Sequence, residues 1–163
     1  MDKMQNSDSF ISDAVEAYSD MIYRIAYNIT FNREDALDVC QEVFLRLVKS
    51  KHKIHDNNHL KAWLIRTCIN CAKTNASQAY KKHRAPIENA DNLSYSDNHD
   101  SMIELVIRLP EKYRTVIHLF YYDKLEISEI AKALSMTKSG VKSRLSRGRA
   151  MLKEIIEKEK YYD

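Results

Sequence analysis

Glycine and proline are nearly missing from this chain, with two of each in 163 residues. So few turn formers exclude a turn-rich β-sandwich or barrel and leave helices with few breaks as the natural architecture. No apolar run reaches membrane-spanning length, and Met1–Phe10 is polar and acidic, unlike an export signal. The expectation is a cytoplasmic protein with no membrane insertion. Cysteine is limited to Cys40, Cys68 and Cys71, an odd number that suits reduced thiols better than a disulfide framework. There is no Gly-rich phosphate loop and no nucleophile motif with a partnered base, so neither catalysis nor a cofactor is expected. Cys68 and Cys71 have C-x-x-C spacing, but one pair falls short of the four ligands of a structural zinc site. His52, His55 and His59 stand at no zinc-like spacing from them, and no metal site is expected.

What is present is a soluble, core-forming composition: 44% hydrophobic and 30% charged residues. Net charge is only +3, yet it is unevenly spread. Residues 1–100 carry 13 basic and 14 acidic side chains, residues 101–163 carry 13 and 9. A basic C-terminal part beside a near-neutral N-terminal part points to two partners, one of them polyanionic.

Apolar residues recur at helical spacing from about Phe10 to Tyr80 and again from Met102 to Ile156. Between them, residues 83–101 hold Pro86 and a run of Asn and Asp, relieved only by Ile87, Leu93 and Tyr95. This reads as a flexible linker. The fold expected is all-α: two small helical domains, 8–82 and 102–160, joined by that linker. In the first, helices are expected over 9–18, 20–29, 33–50 and 58–82, with Ser9 and Asn32 as caps. In the second they are expected over 102–108, 110–122, 128–134 and 138–158, with Pro110 in a first turn and Thr137 as a cap.

The second domain has the pattern of a DNA reader. A short helix over 128–134, a tight turn at 135–137 and a long basic helix make a helix-turn-helix. On the last helix Val141, Leu145, Gly148, Leu152 and Ile156 share the packed face. Ser139, Ser143, Ser146, Arg147 and Ala150 face the other way, flanked by Lys142, Arg149 and Lys153 on one side and Arg144 on the other. Residues 138–153 hold six basic side chains and no acid. Small outward residues admit a helix to a major groove while Arg and Lys reach phosphates or guanine edges.

These residues also carry a resemblance. The run from Leu109 through Tyr122 (LPEKYRTVIHLFYY), then ISEIAKAL from Ile127 to Leu134, then VKSRLSRGR from Val141 to Arg149, resembles region 4 of sigma-70 family factors, most of all the extracytoplasmic-function group. The resemblance implies recognition of the −35 promoter element, with Lys138, Ser139, Lys142, Ser143, Arg144 and Arg147 as DNA contacts. Three positions depart from the family pattern. Lys124 and Ser135 stand where glycine is frequent, and Gly140 where threonine is frequent. Ser135 is therefore expected in a strained turn, and Gly140 to loosen the first turn of the reading helix.

In the helix over 33–50, Ala36, Leu37, Cys40, Val43, Phe44 and Leu47 form the expected buried stripe, while Asp35, Asp38, Gln41 and Glu42 line the far face around Leu45. Residues 33–47 (REDALDVCQEVFLRL) are similar to region 2.2 of the same family, which implies docking on the beta-prime coiled coil of core RNA polymerase through Asp38, Gln41, Glu42 and Leu45. The helix over 58–82 turns Leu60, Leu64, Cys68, Cys71, Ala72 and Ala79 inward and interleaves aromatic and cationic residues outward, a surface suited to unpaired bases. Its segment AWLIRTCIN, Ala62 to Asn70, resembles regions 2.3–2.4, implying −10 DNA contacts at Trp63, Arg66, Asn70 and Lys73. A tryptophan packed in the core competes with that role for Trp63.

The resemblance as a whole implies a non-enzymatic sigma factor, monomeric when free. Its partners would be core RNA polymerase (beta-prime coiled coil and beta flap), promoter DNA and an anti-sigma protein. Two rivals remain at this point: a stand-alone helix-turn-helix regulator with an N-terminal dimerisation or sensing domain, and a polymerase-binding protein that reads no DNA.

Overall fold

The computed structural model describes residues 2–83 and 101–162. Every regular element among them is helical. The chain divides into two compact units, with the boundary between Pro86 and Ile87. The linker expected over 83–101 lies outside the described residues except at its ends, where His83 and Ser101 belong to helices.

The first unit is a three-helix bundle in which α1 (Asp2–Thr30), α2 (Arg33–Ser50) and α3 (Asn57–His83) each pack on the other two. One turn of 3₁₀ helix, Lys51–Lys53, leads out of α2. The two N-terminal helices expected over 9–18 and 20–29 are one helix, and Ser9 lies inside it, where it hydrogen-bonds Asp13 and caps nothing. The reason is visible in the core: Ala14, Met21, Ile22, Ile25, Ala26 and Ile29 are buried along one continuous stripe that runs straight past Ser19 and Asp20. Serine is a weak helix former, and an uninterrupted apolar face overrides it. Asn32 caps α2 as expected, its side chain accepting from the Asp35 N–H at 3.0 Å.

The buried stripe of α2 is Ala36, Val39, Val43 and Leu47. Leu37, expected in the core, is 46% exposed, and Val39 takes its place. Cys40 sits half-buried beside it, and burial pushes its thiol up to about 11. In α3 the inward face is broader than expected: Ile65 and Ile69 are buried together with Leu60, Leu64, Cys68, Cys71 and Ala72, while Ala79 is half-buried. The Cys68 thiol donates to the Ile22 carbonyl at 3.4 Å, which ties α3 to α1. Cys71, too, is a buried packing residue.

In the second unit α4 (Ser101–Ile107), α5 (Glu111–Ile117), α6 (Ile127–Leu134) and α7 (Lys138–Lys160) surround a core of Val106, Leu109, Val116, Ile117, Leu119, Leu125, Ile130, Val141 and Leu145. Pro110 is the residue capping α5 and not part of its first turn. The helix expected to run to 122 stays regular only to Ile117. His118–Tyr122 widens into a turn in which the Asp123 N–H reaches the His118 carbonyl five residues back. There the His118 Nε2 and Asp123 Oδ2 atoms lie 3.1 Å apart, both side chains nearly enclosed. Arg114 is also buried, which lowers its pKa, and its guanidinium donates to the Leu109 carbonyl at 3.0 Å, closing the α4–α5 corner.

Ser135 adopts φ 53°, in the left-handed region, as expected for a non-glycine residue at that turn. Lys124, the other position where the family favours glycine, has the same φ of 53°. Left-handed backbone costs an L-residue about 1–2 kcal/mol. Ser135→Gly is therefore expected to stabilise the second unit by about 0.5–1 kcal/mol once the extra chain entropy of glycine is set against the relieved strain. A thermal melt of the full chain showing a lower midpoint for Ser135→Gly would refute this account of the turn.

Candidate promoter-binding and polymerase-binding surfaces

The α6–turn–α7 arrangement is built by hydrogen bonds at both ends of the turn. At the start of α6, Glu126 and Glu129 form a reciprocal capping box, with the Glu126 N–H donating to Glu129 Oε2 at 2.8 Å. At its end the Met136 N–H reaches the Ala131 carbonyl at 2.9 Å across the left-handed Ser135. Thr137 then caps α7, accepting from the Gly140 N–H at 2.9 Å. That bond fixes the first turn, which Gly140 was expected to loosen. A Cβ at position 140 would stand 3.1 Å from the Thr137 hydroxyl and 3.2 Å from the Met136 methyl, so glycine leaves room for this cap.

The packed face of α7 is Val141, Leu145 and Gly148, with Leu152 and Ile156 half-buried further along. Lys138, Ser139, Lys142, Ser143 and Arg147 are exposed, and Arg144 is half-buried at the edge. These six expected contacts thus share the solvent side of one capped helix. Lys142 and Arg144 stand on opposite flanks, and the small residues Ser139, Ser143, Ser146 and Ala150 lie between the flanks.

Arg149 behaves differently from the other cations of α7. Its guanidinium donates to the Tyr121 hydroxyl at 2.5 Å and lies 5.5 Å from the Tyr121 ring centroid and 5.7 Å from that of Phe120. It is folded back onto its own domain, against the wall of an apolar groove of about 500 Å³ lined by Met102, Val106, Ile117, Tyr121, Leu152 and Ile156. The wheel placed Arg149 beside the reading face, but nothing in the wheel signals that two aromatic rings await it.

In the first unit, Asp38, Gln41, Glu42 and Leu45 are exposed along α2, Leu45 at 57%. Leu37 and Val48 are each 46% exposed on the same helix, so Leu45 is not an isolated leucine there. Glu42 is paired with Arg46 at 2.7 Å, an exposed i, i+4 bridge worth little energetically but sufficient to orient the carboxylate. On α3, Arg66, Asn70 and Lys73 form an exposed row, continued by Ser77 and Tyr80, the latter 65% exposed. Trp63 is half-buried, at the border between that row and the core stripe of Leu60 and Leu64. Its side chain is thus neither enclosed in the core nor fully exposed.

Two substitutions separate the cations of α7. Arg149→Ala, which removes a hydrogen bond and two ring contacts, is expected to destabilise the second unit by about 1 kcal/mol. Arg147→Ala is expected to leave the melting midpoint within the range of an ordinary surface change, about 0.5 kcal/mol. Equal melting midpoints for the two variants would refute the distinction.

Comparison with known proteins adds to these surfaces. The family model described as Sigma-70 region 2 matches residues 14–82, and that described as Sigma-70, region 4 matches residues 99–152. Together they span both units and most of the chain. The chain is 29% identical to the ECF RNA polymerase sigma factor SigW of Bacillus subtilis over 94% of its length and 92% of that protein's. It is 26% identical to RNA polymerase sigma factor SigV of the same organism, over 98% of each chain. Among solved structures, the sigma factor RpoE of Bartonella quintana, crystallised with the anti-sigma factor NepR, superposes with a TM-score of 0.69 at 18% identity, covering 90% of this chain and 96% of that one. The fold is the same. A region 2 match across α1–α3 gives the first unit a role other than ligand sensing or dimerisation, which disfavours the stand-alone regulator. With both regions matched in order and full-length relatives of the same kind, the chain belongs to the extracytoplasmic-function group of the sigma-70 family and is an RNA polymerase sigma factor.

Proposed function

We propose the following division of labour within this sigma factor. The module over residues 8–82 docks on core RNA polymerase through Leu45, Gln41, Asp38 and Glu42 on α2, seated on the beta-prime coiled coil. The same module holds −10 DNA with Trp63, Arg66, Asn70 and Lys73 on α3. The module over 102–160 places α7 in the −35 major groove, with Lys138, Ser139, Lys142, Ser143, Arg144 and Arg147 as contacts. Residues 83–101 tether the two, and coupling two modest sites raises the effective affinity of the pair. No catalytic step is involved, and the protein acts in the cytoplasm. In support of that location, no helix among the described residues is long and apolar enough to cross a membrane.

The observation that carries the reading is the acid-free outward side of α7 from Lys138 to Lys153, displayed on a helix whose start is fixed by the Thr137 cap. A basic helix of this kind neutralises phosphates, and small residues between the cations leave space for base edges. On α2, exposed apolar side chains among Asp38 and Glu42 have the anatomy of a protein-binding patch: an anchor that buries and charges that steer. The apolar groove beside Arg149 is a third surface, fitted to an apolar helix of a protein partner, the beta flap or an anti-sigma protein. The similar sigma factor RpoE of Bartonella quintana was crystallised in complex with the anti-sigma factor NepR.

Run-off transcription with purified core polymerase on a pool of promoter fragments tests the whole reading. Specific transcripts are expected only when the protein is added. Leu45→Glu is expected to weaken core binding by about thirtyfold or more, as loss of a central anchor does. The pair Arg144→Glu and Arg147→Glu is expected to retain core binding and lose −35-dependent transcription. Silence from competent core, with DNA bound by the protein alone, would overturn the sigma reading in favour of a stand-alone regulator.

A further inference from the structure

Arg149 is held in place without being neutralised. Its Nε–H donates to the Tyr121 hydroxyl at 2.5 Å, and its guanidinium carbon lies 5.5 and 5.7 Å from the Tyr121 and Phe120 ring centroids. No carboxylate pairs with it among the described residues. Its two Nη groups, the prongs with which a guanidinium grips a planar anion, have no acceptor there either. A side chain already fixed by a hydroxyl and two rings has less freedom to lose when an anion arrives.

The groove that Arg149 lines has a volume of about 500 Å³, within the range of small-molecule sites. Its apolar walls include Val106 of α4, Ile117 of α5, and Leu152 and Ile156 of α7. Along α7 it extends from Arg149 to Lys160, about 16 Å at the rise of an α-helix. Lys153, Glu157 and Lys160 complete the charged lining, which makes three cations against one carboxylate. Glu157 is itself 4.0 Å from Lys153, an exposed pair. Long apolar walls, an excess of positive charge and a preset guanidinium thus meet in one groove.

We propose that this groove binds the anion of a single-chain amphiphile, an alkyl carboxylate, with its head on Arg149 and its tail along Val106, Ile117, Leu152 and Ile156. The chemistry divides between the two ends of the ligand. A carboxylate matches the guanidinium fork in shape and charge and answers the positive excess of the lining. A neutral or cationic head leaves that excess unanswered. The alkyl tail removes apolar wall from water, a gain that grows with each methylene covered. Dimensions favour a chain over a helix. A helix is about 10–12 Å across, so only one of its faces enters the groove, whereas an alkyl chain enters whole. The site goes beyond the docking role proposed for this groove, and the two occupants exclude each other because they use the same walls.

The test is isothermal titration calorimetry of the full chain, with decanoate below its micelle concentration as the probe. Saturable one-to-one binding is expected. Decyltrimethylammonium, which has the same tail and the opposite head, is expected to bind roughly tenfold more weakly or worse. From octanoate to decanoate to laurate, affinity is expected to rise several-fold at each step, as burial of added methylenes requires. Arg149→Gln is expected to weaken decanoate binding about tenfold and to leave the weaker binding of decanol unchanged, which controls for the fold. If Arg149→Gln melts too low for titration, Arg149→Lys keeps the charge without the fork and is expected to bind several-fold more weakly. Equal affinity for the cationic amphiphile, an affinity flat with chain length, or parental decanoate binding by both Arg149 variants overturns the proposal. So does the absence of saturable decanoate binding, which leaves the groove to a protein helix alone. The titration contains neither core polymerase nor DNA, so these outcomes leave the sigma reading intact, and its own failure is read separately in run-off transcription.

Discussion

The second unit depends on one missing side chain. Gly148 sits in the packed face of α7 with Ile117 of α5 already within 3.2 Å of where its Cβ would be. Even an alanine there would require Ile117 to give by a few tenths of an ångström, and overpacking by a larger residue costs about 1–3 kcal/mol. Beside this contact Arg147 is turned to solvent, whereas Arg149, two residues on, meets Tyr121 and Phe120 of the 118–122 turn and lies along the apolar groove.

The first unit solves a different problem. A bundle of this size is close to the lower limit for an independent core, and α3 contributes buried side chains on a broad arc from Leu60 and Leu64 to Ile65 and Ile69. What remains outside is a narrow row of Arg66, Asn70 and Lys73 with Trp63 at its border.

How much of this was legible in the sequence follows from what periodicity can and cannot distinguish. Two of the three side-chain caps were legible: Asn32 and Thr137 accept the expected N–H, whereas Ser9 lies inside α1. The left-handed turn at Ser135 was legible through its departure from a family glycine. The break in α1 was misread because Ser19 and Asp20 look like punctuation, whereas the stripe from Ala14 to Ile29 continues through them. Leu37 was misread for a more general reason. On α2 the exposed Leu37 lies beside the core stripe, and both are apolar, so a wheel drawn from one sequence did not separate Leu37 from Val39 and Val43. The engagement of Arg149 with Tyr121 and Phe120 lay beyond reach because it depends on how the 118–122 turn packs beside α7, a tertiary quantity.

The strained turn completes the argument from local chemistry to binding surface. Lys124 and Ser135 bracket α6, one before it and one after, and both hold left-handed backbone without being glycine. Strain of this sort persists where surrounding bonds over-determine the conformation. Around Lys124 the Leu125 N–H reaches the Leu119 carbonyl at 3.0 Å, and around Ser135 the Met136 N–H reaches Ala131 at 2.9 Å. Each bond reverses the chain within a few residues, so that α6, whose Ile130 and Ala133 are buried, stays packed while α7 departs in a new direction. Thr137 then caps α7 from an extended backbone, its hydroxyl accepting from the Gly140 N–H. The direction of the reading helix is therefore set before any side chain meets DNA, by two residues that have no place on its surface.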